Sequence, residues 1–402
     1  MSTRSIPAGR YAERLERVQQ MLPAQDASAV LVGVGADLLW LTGYSAMPLE
    51  RLTMLVLPAE RRATLIVPRL EVAAAETAPA VAMQLVDLVS WEETEDPFEV
   101  VARLLGESNS RPEIQLGVLG GAWGRLGGLL VSDRLWATFL LRLQAAVPDA
   151  AFGLASSVLS PLRAIKDAEE VELLRRAAHA ADRTVAAVAR GRLVGRTEAD
   201  VAREVRERLV AEGHDEAAFW IVASGPNSAS PHHEASDRVI QAGEPIVLDI
   251  GGRLEGYGSD ITRTLWVTGE GDDGRGISPD AQFLHLYEVL QRAQAAAIGA
   301  VSAGIRCEEL DAVARRVIDE AGFGPHFIHR TGHGIGLEGH EDPYLVAGNE
   351  EPLTAGHAFS VEPGIYLEGR CGARIEDIVV CGPGGADVLN EHARDLLVVR
   401  GT

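Results

Sequence analysis

Five residues in the second half of the chain combine a metal-binding type of side chain with apolar or glycine-rich surroundings. Asp249, Asp260, His333, Glu362 and Glu376 lie in the stretches IVLDIG, GSDITRTLWV, TGHGIGL, FSVEPGIY and ARIEDIVV. A buried carboxylate is costly unless a cation pairs with it. The sequence offers no comparable set of Lys or Arg in apolar stretches, so oxygen-preferring divalent metals are the natural partners.

The spacing of Asp249 and Asp260 predicts that their carboxylates lie close together. The apolar runs that carry them are separated by GGRLEGYGS, whose glycines favour a turn, so the two runs are expected to form a hairpin. Both side chains can then face one side of the same ribbon. Either aspartate taken alone is also consistent with a surface turn.

His333 lies in HRTGHGIGLEGHEDP, a stretch with glycines at 332, 334 and 336. These glycines exclude the helical HExxH zinc motif, and they allow the backbone to approach a ligand closely. A lone histidine in such a stretch is more often structural than functional. The presence of His329 and His340 in the same stretch favours a functional cluster.

Two glutamates complete the candidate set. Glu362 ends a predicted strand directly before Pro363, and Glu376 is expected in the middle of a strand. For Glu376 the structural alternative is a buried ion pair with Arg374. Both glutamates are nevertheless candidates for metal ligands, because each interrupts an otherwise apolar run.

Four carboxylates carry too much negative charge for one divalent ion, so their number indicates two. Paired divalent ions about 3.5–4 Å apart lower the pKa of a shared water and stabilise a developing oxyanion, which is hydrolytic chemistry. Soft thiolate ligands are missing from the cluster. The sequence also lacks a GxSxG elbow, a Walker A loop and a complete GxGxxG fingerprint.

Composition limits the other function classes. The chain has 402 residues, 47% hydrophobic and 24% charged, which is typical of a soluble globular protein of two domains. Its formal net charge of -21 argues against a nucleic acid or an anionic membrane as partner. Three cysteines without a CxxC pair, no apolar signal-peptide core and no run long enough to span a membrane predict a cytoplasmic protein.

The pattern of elements predicts a domain boundary near residue 158. Residues 1–158 alternate α and β elements, with apolar strand candidates that include AVAMQLVD and IQLGVLG. Residues 159–402 are expected to form an α+β domain of long helices and an antiparallel sheet. Its predicted helices lie at about 167–191, 196–212, 280–302 and 307–321. Its predicted strands lie at about 217–224, 245–250, 260–267, 357–362 and 374–381.

Residues 160–402 carry these motifs in the order and with the spacing of a known family. They resemble the pita-bread-fold metallopeptidases of the Xaa-Pro dipeptidase (prolidase) and aminopeptidase P group (M24B). The phrases DLLWLTGY and LIVPRLE in the first half resemble the creatinase/prolidase N-terminal domain. The resemblance implies an α+β pita-bread (creatinase/aminopeptidase-like) catalytic domain preceded by a smaller α/β domain.

The resemblance also implies a role for each member of the candidate set. Asp249 corresponds to a terminal carboxylate ligand of one metal ion. Asp260 and Glu376 correspond to bridging carboxylates, and His333 and Glu362 to ligands of the second ion. Glu362 would in addition carry a proton from the bridging hydroxide or water to the leaving nitrogen. The implied cofactor is two divalent ions, with Mn²⁺ favoured by the oxygen-rich ligands and Co²⁺ or Zn²⁺ as alternatives.

Four further residues match positions around the family's site. His232, His329 and His340 correspond to histidines that are not ligands, and Arg374 to an arginine that supports the site. Imidazoles at 232 and 340 would bind substrate by donating hydrogen bonds to the scissile carbonyl or its oxyanion. Arg374 is expected to orient Glu376.

The resemblance implies a dinuclear Xaa-Pro dipeptidase that acts on small peptides with proline at the second position, and a homodimer. Aminopeptidase P, with the same chemistry on longer peptides, is the alternative enzyme. Arg370 favours the dipeptidase, because a cation there can bind the free carboxylate of a dipeptide, although it is also typical of a solvated hairpin. A metal-free creatinase-like enzyme or a non-catalytic binding module is disfavoured because all five ligands are present. One departure is Ala218, where relatives often have Phe or Tyr.

Overall fold

A computed structural model of the chain describes residues 6–106, 128–269 and 276–400. The chain divides into two compact units, Met1–Arg163 and Ala164–Thr402. The expected boundary near residue 158 falls inside a helix that spans Ser156–Ala164. Among the described residues, no helix combines the length and the apolar composition that crossing a membrane requires.

The helices of the described residues are labelled α1 to α11 in chain order. They are Ala8–Met21, Ala36–Thr42, Val72–Ala75, Pro79–Ala82, Pro97–Gly106, Ala137–Ala146, Ser156–Ala164, Ala168–Ala189, Glu198–Ala211, Ala281–Ala300 and Cys307–Glu320. The strands are labelled β1 to β18 in the same way. They are Ala27–Gly33, Met54–Pro58, Ala63–Pro68, Val86–Trp91, Gly128–Val131, Phe152–Leu154, Glu216–Ser224, Glu244–Leu254, Tyr257–Gly258, Ile261–Val267, Gly332–Gly334, Glu341–Leu345, Ala358–Val361, Gly364–Leu367, Cys371–Arg374, Asp377–Gly382, Gly385–Val388 and Leu397–Val399.

The first unit contains a mixed sheet in the order β4-β3-β2-β1-β5-β6. Strand β1 pairs antiparallel with β2 and parallel with β5, so it is central and nearly all of its residues are buried. Continuous apolar runs are typical of such strands. The predicted mixed α and β organisation is therefore confirmed for the described part of this unit.

One predicted strand in this unit is only half correct. The run AVAMQLVD covers residues 80–87, but its first residues belong to α4, which Pro79 opens. Proline is favoured in the first helical turn because it has no N–H to satisfy. Strand β4 begins only at Val86, after Gln84 has reversed the backbone at a positive φ of 58°. The candidate IQLGVLG lies outside the described residues.

The second unit contains three sheets in the part of the chain that is described. One has the order β18-β10-β8-β7 with β9 beside β8, one has the order β12-β11-β13-β16-β17, and β14 pairs with β15. All of these pairs are antiparallel except β10 with β18. An α+β organisation, as predicted, is confirmed for these residues.

The four long helices of this unit lie within two residues of their predicted limits. Helix α8 begins where the sequence supplies a capping box, since the Asp167 side chain accepts from the Glu170 N–H and the Glu170 side chain accepts from the Asp167 N–H. Helices α8 and α9 pack their apolar faces on β7, β8 and β10. Helices α10 and α11 pack on a separate core around Phe359 and Val379.

The strand predicted at 374–381 is wrong, because the chain forms two strands there. Strand β15 ends at Arg374 and β16 begins at Asp377, so Glu376 belongs to neither. Its N–H donates instead to the carbonyl of Thr262 on β10, at 3.1 Å. The sequence favours one strand across 374–381, but the hydrogen bond from Glu376 to a strand remote in sequence divides it into two.

Arg263, in β10, is fully buried directly behind this break. Its guanidinium donates to the carbonyls of Glu376 at 2.6 Å, His392 at 2.7 Å and Ala393 at 2.9 Å. It also pairs with the Asp377 carboxylate at 2.6 Å, and both side chains are inaccessible to solvent. Arg263 therefore fixes the backbone on both sides of the break and ties it to the segment that precedes β18.

We expect Arg263→Met to lower the free energy of unfolding by about 3–5 kcal/mol, because it leaves Oδ1 of the buried Asp377 carboxylate and several carbonyls without their donor. Urea denaturation of the metal-free protein measures this loss. The matched control is Arg203→Met, which removes an exposed pair with Asp200 and should not move the denaturation midpoint. Equal midpoints for the two variants would contradict the role given to Arg263.

Candidate metal centre

The predicted hairpin exists and carries two of the candidate ligands. Strands β8 and β10 pair antiparallel, with Asp249 opposite Thr262, and Asp260 directly precedes β10. Strand β8 runs on to Leu254, so the turn is at Glu255, which has a positive φ of 50°. Residues opposite each other share one side of a sheet, so Asp249 and Thr262 face the same side.

The other candidates come from the sheet of β11, β13 and β16. His333 is the central residue of β11, and Glu362 directly follows β13. A Cβ atom at Gly332 would lie 1.9 Å from the Ser360 carbonyl oxygen, and one at Gly334 would lie 2.2 Å from that of Asp342. The glycines thus allow neighbouring strands to approach, whereas the sequence suggested that they make room for a ligand.

Four of the five candidates meet at one buried point. Potential ligand atoms of Asp260, His333 and Glu376 all lie within 4.8 Å of one another. His333 Nε2 is 3.3 Å from Glu362 Oε1 and 3.7 Å from Asp260 Oδ2. Asp249 joins the group electrostatically, since its charge helps to raise the pKa of Asp260.

Two carboxylate oxygens in this group are buried and have no hydrogen-bond partner among the described residues. They are Asp249 Oδ1 and Glu376 Oε1. The second oxygen of each carboxylate is satisfied, because Arg374 donates to Asp249 Oδ2 and Thr262 Oγ1 donates to Glu376 Oε2 at 2.7 Å. Buried polar atoms are rarely left unpaired, so these oxygens fit cation ligands.

The raised pKa values of these carboxyl groups reflect the cost of burying like charges together. Burial raises the pKa of Asp260 and Glu376 well above the usual carboxyl range, and neighbouring carboxylates reinforce the effect. Burial also raises the pKa of Glu362 to about 7, with the Arg374 charge opposing it. In the metal-free protein, these shifts favour protonated, uncharged carboxyl groups.

His333 is held in the neutral form, which can bind a metal ion. Burial, followed by repulsion from His340, lowers its pKa to about 3. Its Nδ1–H donates to the Gly334 carbonyl at 3.1 Å, which leaves the Nε2 lone pair directed towards Asp260 and Glu362. A fixed tautomer of this kind is usual for a histidine that binds metal.

Arg374 supports the site differently from the expected way. It pairs directly with Asp249 rather than with Glu376. Its Nε donates to Thr262 Oγ1 at 3.0 Å, and that hydroxyl in turn donates to Glu376. Arg374 Nη1 also donates to the Tyr366 hydroxyl at 2.7 Å. One guanidinium therefore organises two carboxylates, one of them through a threonine.

The three candidate histidines outside the ligand set have different surroundings. His329 is held by the Arg330 carbonyl at 2.7 Å and the Tyr366 hydroxyl at 2.9 Å, and burial lowers its pKa to about 3. The His340 ring lies 3.9 Å from the His333 ring, centroid to centroid, and is exposed on its other side. His232 is exposed, and its ring accepts or donates no hydrogen bond within the described residues.

Sequence reasoning missed three residues that hold the candidates in place. Thr262 and Ser360 lie two residues from Asp260 and Glu362, so the strand period could have found them. The Ser360 hydroxyl lies 3.3 Å from Glu362 Oε1 and accepts from the His333 N–H at 3.1 Å. Tyr366 gives no such signal, because its position depends on the β14–β15 hairpin.

The departure at Ala218 has a structural explanation. Strand β7 contains a bulge between Ala217 and Phe219, and the next residues resume pairing with Phe219 opposite Gly251 and Ile221 opposite Asp249. The Phe219 ring occupies the space of a Cβ at Gly251, within 2.3 Å. An aromatic ring therefore lies on the Asp249 side of the sheet, one residue later than the sequence comparison suggested.

Arg370 lies apart from the buried group in the turn of the β14–β15 hairpin. It is exposed, and its Nη2 donates to Gln282 Oε1 at 2.8 Å. Neither a carboxylate nor any of the five candidate ligands is among its hydrogen-bond partners in the described residues.

Comparison with known proteins agrees with this geometry. Residues 172–383 match "Metallopeptidase family M24", and residues 14–165 match "Creatinase/Prolidase N-terminal domain". The chain is 42% identical to "Probable dipeptidase PepE" of Mycobacterium tuberculosis over 400 residues, 99% of each chain. It is 39% identical to "Xaa-Pro dipeptidase" of Pyrococcus furiosus over 241 residues, 60% of this chain and 67% of that protein. The crystal structure of dipeptidase PepE from Mycobacterium ulcerans superposes with a TM-score of 0.87 at 42% identity, covering 98% and 99% of the two chains.

The chain belongs to the M24 metallopeptidase family.

Membership confirms the resemblance and the expected architecture, a creatinase N-terminal domain followed by an M24 pita-bread domain. The chain is accordingly a metallopeptidase of a family that uses divalent metal ions. The buried group of Asp260, His333 and Glu376 is the possible metal-binding group of this M24 domain.

We expect the stability of the metal-free M24 protein relative to Glu362→Gln to fall as the pH rises. Burial raises the pKa of Glu362 to about 7 in the folded chain, above the ordinary value of 4.5 that applies to the unfolded chain. Between these two pH values the folded chain therefore binds more protons than the unfolded chain. The free energy of unfolding then decreases with pH, by an amount on the order of 3 kcal/mol. Thermal unfolding of both proteins between pH 5 and pH 8 measures the difference.

The same experiment with saturating Mn²⁺ is the control. Because cations compete with protons for the ligands, the advantage of the wild type should then increase with pH. A difference between the two metal-free proteins that is independent of pH would show that Glu362 does not retain a proton.

Proposed function

We propose that this M24 protein is a dinuclear Xaa-Pro dipeptidase, with Asp249, Asp260, His333, Glu362 and Glu376 as the metal ligands. The observation that carries the proposal is the pair of unpartnered buried oxygens, Asp249 Oδ1 and Glu376 Oε1. Asp249 lies in β8 and Glu376 lies between β15 and β16, and each oxygen is available to a cation. A site made for protons alone would have satisfied these oxygens with donors.

The charge of the group supports two ions rather than one. Four carboxylates and the Arg374 guanidinium carry a net charge of three negative units when all are ionised. One divalent ion would leave the buried group negative. Two divalent ions would leave one positive charge, which favours an anionic nucleophile and the oxyanion that forms on the substrate.

The steps of the proposed hydrolysis are assigned to the protein's own side chains. Bound divalent ions supply the lowered pKa of a shared water. Glu362, whose Oε1 lies 3.3 Å from His333 Nε2, would take a proton from that water and deliver it to the leaving nitrogen. His340, beside His333, and His232, on an exposed loop, would donate hydrogen bonds to the scissile carbonyl. His329 holds Tyr366, which accepts a hydrogen bond from Arg374.

The preference for proline is supported by relatives and by chemistry. One relative that matches 60% of this chain carries the name Xaa-Pro dipeptidase, and a relative that matches 99% of it carries the name probable dipeptidase PepE. The nitrogen of an X-Pro bond is tertiary and has no N–H. A site that acts through the carbonyl and through proton delivery to nitrogen does not need that N–H.

We expect Asp260→Asn and Glu376→Gln to abolish hydrolysis of X-Pro dipeptides, by at least about a thousandfold in kcat/KM, because each removes a charge shared by both ions. The test measures proline release with Mn²⁺, Co²⁺ and Zn²⁺, together with bound metal per chain by elemental analysis. Wild type should hold about two ions per chain, and both variants fewer. Glu309→Gln, at the exposed N-terminus of α11, is the control. Full activity in either ligand variant would refute the proposal.

Arg370 is proposed to bind the free carboxylate of a dipeptide substrate. We expect Arg370→Ala to raise KM for X-Pro dipeptides about tenfold while leaving X-Pro-Y-Z peptides unaffected, because only the dipeptide places its carboxylate next to the cut bond. Gln282→Ala is the matched variant, since it removes the hydrogen-bond partner of Arg370 and keeps the charge. Unchanged dipeptide kinetics in Arg370→Ala would exclude this role. Faster hydrolysis of X-Pro-Y-Z peptides by the wild type would instead identify an aminopeptidase P.

The choice of Mn²⁺ as the native metal, the cytoplasmic location and the homodimer stay predictions from the sequence.

A further inference from the structure

One buried carboxylate of this unit, Glu198, belongs neither to the candidate ligands nor to the residues that hold them in place. Glu198 is the first residue of α9 and is inaccessible to solvent. Glu198 faces residues 225–236, the part of the β7–β8 connection that carries His232. These residues are called the His232 loop below. Within the described residues, Glu198 makes no hydrogen bond to any of the five candidate ligands.

Both oxygens of Glu198 accept hydrogen bonds from this loop and its first flanking residue. Glu198 Oε1 accepts from the N–H and the hydroxyl of Ser224, both at 2.8 Å, and from Asn227 at 3.1 Å. Glu198 Oε2 accepts from His233 Nε2 at 2.8 Å and from the Ser236 hydroxyl and N–H at 2.6 and 3.1 Å. One side chain thus holds the start, the middle and the end of the loop.

The surroundings of Glu198 keep it ionised. Burial by itself would raise its pKa, but hydrogen bonds from Ser236, His233 and Ser224 outweigh that effect and lower the pKa to about 2. Its place in the first turn of α9 adds the favourable field of the helix N-terminus. The anchor is therefore a permanent anion at any pH at which the enzyme would work.

The other side of the His232 loop is hydrogen-bonded to β15, the strand that ends at Arg374. The Pro231 carbonyl accepts from the Arg374 guanidinium at 3.4 Å, and the Ser228 hydroxyl accepts from the Gly372 N–H at 2.8 Å. His232 therefore lies between Pro231, which Arg374 holds, and His233, which Glu198 holds. The His232 ring makes no hydrogen bond of its own within the described residues, so these two neighbours determine where it points.

We propose that Glu198 is a positioning residue of this peptidase, which fixes His232 over the substrate by clamping the loop on both sides of it. The inference rests on the catalytic role of His232 in the proposed function, and it adds a residue that touches neither metal nor substrate. An amide at this position offers one acceptor oxygen in place of two. Glu198→Gln should therefore release about half of the clamp and leave the metal ligands in place.

Hydrogen exchange of the metal-free protein tests the clamp without any substrate. In Glu198→Gln, amides of residues 225–236 should exchange at least about fivefold faster than in the wild type, with little change elsewhere. The matched control is Glu204→Gln on the same helix, whose carboxylate binds Arg196 and Arg208, both at 2.6 Å, and does not bind the loop. Unchanged exchange in the loop of Glu198→Gln, or equal acceleration in both variants, overturns the proposal.

Kinetics test whether the clamp acts through His232. Glu198→Gln should lower kcat for an X-Pro dipeptide about tenfold or more while the metal content stays at the wild-type value. In a His232→Ala background the same change should have less than about a twofold effect, since the residue that it positions is gone. Multiplicative losses in the double variant, or loss of metal in Glu198→Gln, would show a general structural role and overturn the proposal.

A substitute variant and an activity measurement on the wild type distinguish failure of the clamp from failure of the proposed function. Ser236→Ala removes the 2.6 Å bond to Glu198 together with a 3.2 Å bond that the hydroxyl accepts from the Arg238 N–H, and it replaces Glu198→Gln in both tests if the latter does not fold. A wild-type protein that fails to hydrolyse X-Pro dipeptides with any of the three metals refutes the proposed function. The exchange measurement then still decides whether Glu198 clamps the loop.

Discussion

The mutual repulsion of four carboxylates in one place with little water is the constraint on which the rest of this molecule depends. Protein interiors screen charge poorly, so such a group must acquire positive charge or give up its own. Arg374 supplies one positive charge, and protons retained on Asp260, Glu362 and Glu376 supply the rest when metal is absent. The neutral His333 contributes a ligand without adding charge.

The fold can hold such a group only by distributing it over rigid elements that cannot move apart. Asp249 and Asp260 come from the β8–β10 hairpin, and His333 and Glu362 come from the sheet of β11 and β13. Glu376 lies where β15 stops and β16 begins, and it is hydrogen-bonded to β10. Repulsion among the ligands is thus opposed by backbone pairing and by apolar cores on either side.

The sequence was sufficient for features that depend on nearby residues. Charged residues in apolar runs indicated the candidate ligands, the helix predicted at about 167–191 corresponds to α8, and the spacing of glycines indicated the hairpin of β8 and β10. The sequence was insufficient for features that depend on a contact with a residue of another sheet. The break before Asp377, the pairing of Arg374 with Asp249 rather than Glu376, and the bulge before Phe219 all arise from contacts between segments far apart along the chain. Apolar periodicity contains no information about such contacts.

The buried Arg263 has a consequence for the order in which the molecule is completed during translation. Every candidate ligand has been synthesised once Glu376 leaves the ribosome. The carbonyls of His392 and Ala393, which Arg263 needs in order to hold the backbone at Glu376, are added only afterwards. A nascent chain therefore carries the full ligand set before it can fix its geometry. The backbone at Glu376 is therefore fixed only when nearly the whole second unit has been synthesised.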